Sequence, residues 1–100
     1  MVSNMKKLDI LICKSFFSRF RGLMLKKKID YILCFPKCNS IHTMFMLISI
    51  DVYMTDKNNK IIYIYKNLKP GKIILPKKNV YYTYETPLNY YNYKLNDYIK

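Results

Sequence analysis

The chain is poor in the residues that loosen or cross-link a backbone. Two glycines and four prolines in 100 residues leave no room for a flexible linker. Hydrophobic residues make up 51% of the chain, which excludes an intrinsically disordered segment. Alanine is absent, and arginine occurs only at positions 19 and 21. So few arginines count against the planar, two-pronged contacts that specific phosphate recognition favours. Three cysteines do not close a disulfide framework. No apolar run approaches the ~20 residues of a membrane-spanning helix. The first seven residues have the basic character of a signal-peptide start. The apolar stretch after them is short, contains Asp9 and lacks a small-residue cleavage site. The expectation is a soluble, reduced, cytoplasmic protein with one domain over residues 1–100.

Positive charge, by contrast, is abundant: 18 basic side chains against 6 acidic ones give a formal charge of +12. An anionic partner, such as nucleic acid, a membrane surface or an acidic protein, is one reading. The other is compositional. Lys, Ile, Asn and Tyr are enriched together, as AT-rich coding produces, and Lys26-Lys27-Lys28 is the only tight basic cluster. The eleven tyrosines divide the same way. Tyr81-Tyr82, Tyr84 and Tyr90-Tyr91 could stack on bases beside lysines, yet tyrosine is also a good strand former. Nucleic acid is therefore an open alternative rather than the favoured partner.

Leu8, Ile10 and Ile12 alternate, which predicts a first strand over residues 7–12. Ser15 can cap a helix, and Phe16, Phe20, Leu23 and Met24 follow at helical spacing. A helix is expected near residues 15–26. Further strands are expected over 31–35, 41–46, 48–55, 60–65, 80–85 and 93–99. A bend between residues 46 and 49 would keep the third and fourth from forming one overlong strand. Turns are expected at 56–59 and at Pro70-Gly71. In the fourth strand, Ile48, Ile50, Val52 and Met54 share one face, and Ser49, Asp51 and Tyr53 share the other. About seven short strands and one early helix predict an α+β domain, with a mostly antiparallel sheet curled into a barrel or sandwich.

Residues 38–52 concentrate the chemistry. They hold Cys38, the single histidine, His42, and Asp51 inside an otherwise apolar run. Cys34, Cys38 and His42 stand at Cys-x3-Cys-x3-His spacing, and Cys13 would complete a set that zinc accepts. The spacing is looser than a zinc knuckle and crosses Pro36, so buried, non-ligating cysteines are the favoured reading. Cys38 as a nucleophile with His42 as base is a further alternative. In an extended segment, however, residues four apart are separated by about 13 Å. An enzyme is thus not favoured, and neither a metal nor a cofactor is expected.

Two motifs together resemble the DUF192 (UPF0127) family. Arg21-Gly22-Leu23-Met24 is similar to the family's Gly-Leu-Met helix end. Ser40-Ile41-His42-Thr43, Met46 and Ile50-Asp51 are similar to its Ile-His-Thr-Phe-Gly-Met-Arg-Phe-Pro-Ile-Asp strand. The hairpin after Asp51, the late acid Glu85 and Leu95-Asn96-Asp97 extend the resemblance over residues 8–99. This chain departs from the pattern at Phe45, Leu47 and Ser49, where the family has glycine, a basic residue and proline. It also departs at Pro87-Leu88-Asn89 and Asn96, where the family has glycine. The resemblance implies a small β-rich domain and no particular reaction. The expectation is a non-enzymatic binding or accessory module for a small ligand or protein. Its polar site would group His42, Thr43, Asp51 and Glu85, with Arg19 or Arg21 nearby to pair with an acid.

Overall fold

The computed structural model describes residues 8–12, 31–43 and 46–99. Seven strands run through them: β1 (Ile10–Ile12), β2 (Ile32–Pro36), β3 (Ile41–His42), β4 (Ile50–Thr55), β5 (Ile61–Leu68), β6 (Ile73–Ile74) and β7 (Tyr82–Thr86). Five form a sheet in the order β1-β2-β7-β4-β5, and β3 pairs with β6 in a two-stranded ribbon. β1 lies parallel to β2, and every other pairing is antiparallel.

β4 shows how the sequence dictates the layers. Its six residues are all buried because it lies between β7 and β5 and is covered on both faces. Ile50, Val52 and Met54 join Leu33 and Phe35 of β2 on one face, where Cys38, Met46 and Ile74 close over them. Tyr53 points the other way and packs with Ile32, Cys34, Tyr84 and Ile99. Its ring meets those of Tyr91 and Tyr93 edge-on, with centroids 5.8 and 6.0 Å away, and its hydroxyl donates to the Tyr91 carbonyl at 3.1 Å. Such rings bury large apolar areas while their hydroxyls keep hydrogen-bond partners.

The expected α+β barrel or sandwich needs correction. The domain is β-rich, no helix occurs among the described residues, and the five-stranded sheet stays open. The helix expected near 15–26 lies outside the described residues. The last segment meets the sheet only at the start of β5. Ile61 donates to the Asp97 carbonyl at 2.8 Å and accepts from the Asn96 amide at 2.9 Å. That segment was expected as a strand over 93–99. It turns instead at Lys94–Asp97, with Asn96 at φ 75°, and only the Lys60–Tyr98 bridge is sheet-like. Of the strand expected over 41–46, Ile41 and His42 form β3, residues 43 and 46 lie outside any strand, and 44 and 45 lie outside the described residues; the chain bends at residues 47 and 48 before β4 begins. Among the described residues, no helix is long and apolar enough to cross a membrane.

Most left-handed backbone positions are filled by asparagine rather than glycine, Lys37 and Gly71 holding the others among the described residues. Asn59, Asn67, Asn79, Asn89 and Asn96 all have φ between 55° and 75°. Asparagine tolerates this region better than other residues with a Cβ. The Asp56–Lys60 turn shows the arrangement. The Asp56 carboxylate accepts the backbone amides of Asn58 and Lys60 at 2.9 and 3.0 Å, and Asn59 takes the left-handed position that lets β5 return along β4.

Candidate functional site

Thr43 follows β3 and is fully buried. Its hydroxyl donates to the Lys69 carbonyl at 2.7 Å and accepts from the Lys72 amide at 2.7 Å. Its own carbonyl accepts from Gly71 at 2.9 Å, where φ is 80°. Thr43 thus clamps the Pro70-Gly71 turn, and its hydroxyl is occupied on both sides. Thr43→Val keeps the shape but leaves the Lys69 carbonyl and Lys72 amide short of a partner. Urea unfolding should show a loss of about 1–3 kcal/mol, largely restored in Thr43→Ser. An unchanged midpoint for the valine variant would remove the clamp.

Asp51 is also fully buried. It accepts the backbone amide of Asn67 at 2.8 Å, the backbone amide of Asn89 at 2.7 Å, and the Lys66 ammonium. Lys66 and Asn67 form a bulge in β5 opposite Asp51, between the pairs Ile50–Leu68 and Val52–Tyr65. Asn89 lies in the turn after β7, where Tyr90 donates to the Pro87 carbonyl at 3.3 Å. One carboxylate therefore joins β4, the β5 bulge and the exit from β7. Burial alone would lower the Lys66 pKa, but its hydrogen bond and attraction to Asp51, with Tyr53 adding to them, raise it.

The structure does not gather the expected polar group in one place. Asp51 pairs with Thr86 and Val52 with Glu85, so Asp51 and Glu85 leave the sheet on opposite faces. Glu85 stands between Leu33 and Val52, and burial pushes its carboxyl up to about 8. His42 is exposed and pairs with Ile73 in the ribbon. Arg19, Arg21 and Cys13 lie outside the described residues. Cys34 and Cys38 are both buried, but in different clusters, and the Cys38 thiol donates to the Ser40 carbonyl at 3.0 Å. Among the described residues, no three His, Cys, Asp or Glu side chains are disposed to hold a metal ion.

Another concave region does bring chemistry together. A cleft of about 740 Å³ opens where the β4–β5 turn faces the loop before β7, lined by Lys57, Asn58, Tyr63, Lys78, Asn79 and Tyr81 among others. The Lys77 ammonium sits 5.7 Å from the centre of the Tyr63 ring, a cation–π distance. Tyr81 is fixed to the sheet: its amide donates to the Thr55 carbonyl at 2.7 Å, and its carbonyl accepts from Cys38 at 3.2 Å. Of the tyrosines singled out as stacking candidates, Tyr81 lines this cleft. Tyr84 is buried and donates to Asn59 at 2.8 Å, and burial is the main cause of its raised pKa. Tyr90 accepts the Leu8 amide at 2.9 Å. Tyr91 packs on Tyr90 and Tyr93, and burial pushes its hydroxyl up to about 12. Sequence reading passed over Lys57, Tyr63, Lys77 and Lys78, because dispersed lysines carry no spacing signal until two turns are folded together.

Comparison with known proteins gives a consistent result. The DUF192 family model, described as Uncharacterized ACR, matches residues 1–93. A UPF0127 protein of Thermococcus sibiricus is 37% identical over 97 residues, covering 88% of this chain. The chain spans 62% of that relative's length. A UPF0127 protein of Pyrococcus horikoshii is 40% identical over 85 residues, covering 79% of this chain and 72% of the relative. Among solved structures, a protein of unknown function from Novosphingobium aromaticivorans superposes with a TM-score of 0.68 at 15% identity. That match covers 80% of this chain and 63% of the other, and at this identity it speaks to the fold alone.

Proposed function

The chain belongs to the DUF192 (UPF0127) family of uncharacterised proteins, and from that premise we propose that it is a non-enzymatic binding module for an anionic ligand. The observation that carries this reading is the cleft beside the β4–β5 turn. Lys57, Lys77 and Lys78 stand at or next to it and form no ion pair with another described residue. Its one acid, Asp56, already accepts two backbone amides. A concave surface lined by lysines that form no ion pair lowers the free energy of an incoming anion.

The residues with catalytic potential are arranged otherwise. The Asp51 and Thr43 side chains hold backbone groups in place. Cys38 is buried and hydrogen-bonded to Ser40, which is the setting of an inert thiol rather than an activated one. This supports binding without chemistry, and at the cleft rather than around His42 and Asp51. A cytoplasmic setting belongs to the same proposal and rests on cysteines too few for a disulfide framework.

The test uses pyrophosphate as the probe, titrated at low ionic strength against the parent chain and a Lys57→Gln, Lys78→Gln double variant. Exposed substitutions of this kind leave stability within about 0.5 kcal/mol, so folding and binding separate cleanly. The parent should bind, the double variant should bind about ten-fold more weakly, and added salt should weaken the parent more steeply. Equal affinities in the two proteins would move the anion site elsewhere and end this reading.

A further inference from the structure

The cleft is more than a patch of positive charge. A site for a bare anion needs only cations and amide donors. This one adds two half-buried phenol rings, Tyr63 and Tyr81, with the apolar side chains of Ile62 and Val80 beside them. Its volume of about 740 Å³ falls within the range of small-ligand sites. Lys57 and Lys78 are exposed at the cleft, and the Lys77 ammonium lies over the Tyr63 ring. The rings are half-buried, and Tyr81 is anchored by its backbone to Thr55 and Cys38. A ligand that matches both parts carries phosphate at one end and a flat ring with an apolar face at the other. Asn58 and Asn79 add exposed carboxamides at the cleft, each able to donate and accept.

We infer that this cleft binds a nucleotide unit, its phosphate between Lys57 and Lys78 and its base against Tyr81, with Tyr63, under the Lys77 ammonium, forming the neighbouring wall. The inference rests on the binding-module reading and narrows its ligand class. Lysines hold phosphate as point charges rather than as oriented forks, and aromatic faces accept every base. Recognition should therefore be tolerant of sequence. The same chemistry is offered by a free nucleotide and by one unit of a single strand.

The experiment titrates the full chain with AMP, with single-stranded hexamers of deoxyadenylate and thymidylate, with pyrophosphate and with poly-glutamate. The aromatic proton resonances of the tyrosines are followed by NMR. The expected result is that AMP or the hexamers bind at least about ten-fold more tightly than pyrophosphate, with ring-current shifts confined to Tyr63 and Tyr81. Tyr81→Leu should lose that margin and keep pyrophosphate affinity, whereas Tyr81→Phe should retain both. Should Tyr81→Leu fail to fold, the ring shifts in the parent chain decide the matter. Equal affinity for AMP and a hexamer assigns the site to free nucleotide. A hexamer that binds far more tightly, with a salt slope near −2 as about three phosphates are neutralised, assigns it to a single strand. Either outcome supports the inference. Pyrophosphate binding as tightly as every nucleotide overturns it while leaving the binding module intact. So does poly-glutamate matching the hexamers, which would indicate an acidic protein partner. Absence of binding by all probes at low salt overturns the binding-module reading itself.

Discussion

Glu85→Gln is expected to stabilise the domain at neutral and alkaline pH and to remove much of its pH dependence. Glu85 sits at the middle of the sheet, 5% exposed, between Leu33 and Val52. Burial raises its carboxyl from 4.5 to about 8, because a charge surrounded by apolar side chains loses its hydration. The folded state therefore binds a proton that the unfolded chain has released between these two values. A folded-state pKa above the unfolded one means stability is complete below about pH 4.5, declines as pH rises, and reaches its floor beyond about pH 8. At pH 7 the loss is on the order of 3 kcal/mol, a large fraction of a small domain's stability. Glutamine has the same shape and never ionises. Urea denaturation at intervals from pH 4.5 to pH 8.5 should show the two proteins diverging as pH rises, with the variant more stable throughout the upper part. Parallel curves would mean that the carboxyl is solvated in the folded state.

The parts of the fold that were legible in the sequence are those set by side-chain period. Ile50, Val52 and Met54 alternate with Asp51 and Tyr53, and the structure places them in opposite layers as that alternation requires. The bend before β4 was legible because an uninterrupted strand from residue 41 to 55 would have been too long. The course of the last segment, which meets β5 only at Ile61, was not legible. That segment reads as a strand from Tyr93 and Ile99, yet the left-handed backbone at Asn96 interrupts it.

The chemical residues show the same division. Asp51 and Thr43 stand out as polar side chains within apolar strands, which is why they read as a site. Their partners lie far along the chain: Lys69 and Lys72 for Thr43, Asn67 and Asn89 for Asp51. What aims those amides is asparagine in a conformation usually left to glycine, at Asn67 and Asn89. No period or motif announces it. Glu85 could be recognised as a late acid, but its burial follows from β7 lying between β2 and β4, a placement that strand order alone decides. The cleft joins residues near 57 and 63 to residues 78–81, so it too exists only once the topology is known.

Asp51→Ala is expected to be the most disruptive single substitution considered. The carboxylate is 1% exposed and accepts the backbone amides of Asn67 and Asn89. Removing it takes the acceptor from both half-buried hydrogen bonds, at a cost of about 2–5 kcal/mol, a large part of a small domain's stability. Lys66 is different: its side chain is 44% exposed, so its ammonium is solvated without Asp51, and Lys66→Ala should cost no more than about 1 kcal/mol. Asp51→Asn should fall between the alanine variant and the parent. Its carbonyl oxygen can still accept, but its NH2 group points a donor at an amide that also donates. Chemical denaturation of the three variants, with far-UV circular dichroism at low denaturant, orders them. Suppose instead that Lys66→Ala costs as much as Asp51→Ala. Then the ion pair, not the backbone, is what Asp51 serves. Binding adds a second test of the aspartate in the family's Ile-Asp element. Asp51 lies at the start of β4, and the cleft begins beyond its end at Asp56. A folded Asp51→Asn chain should therefore bind pyrophosphate as the parent does. A variant that keeps its stability and loses that binding would make Asp51 part of the site rather than a support for the strands that carry it.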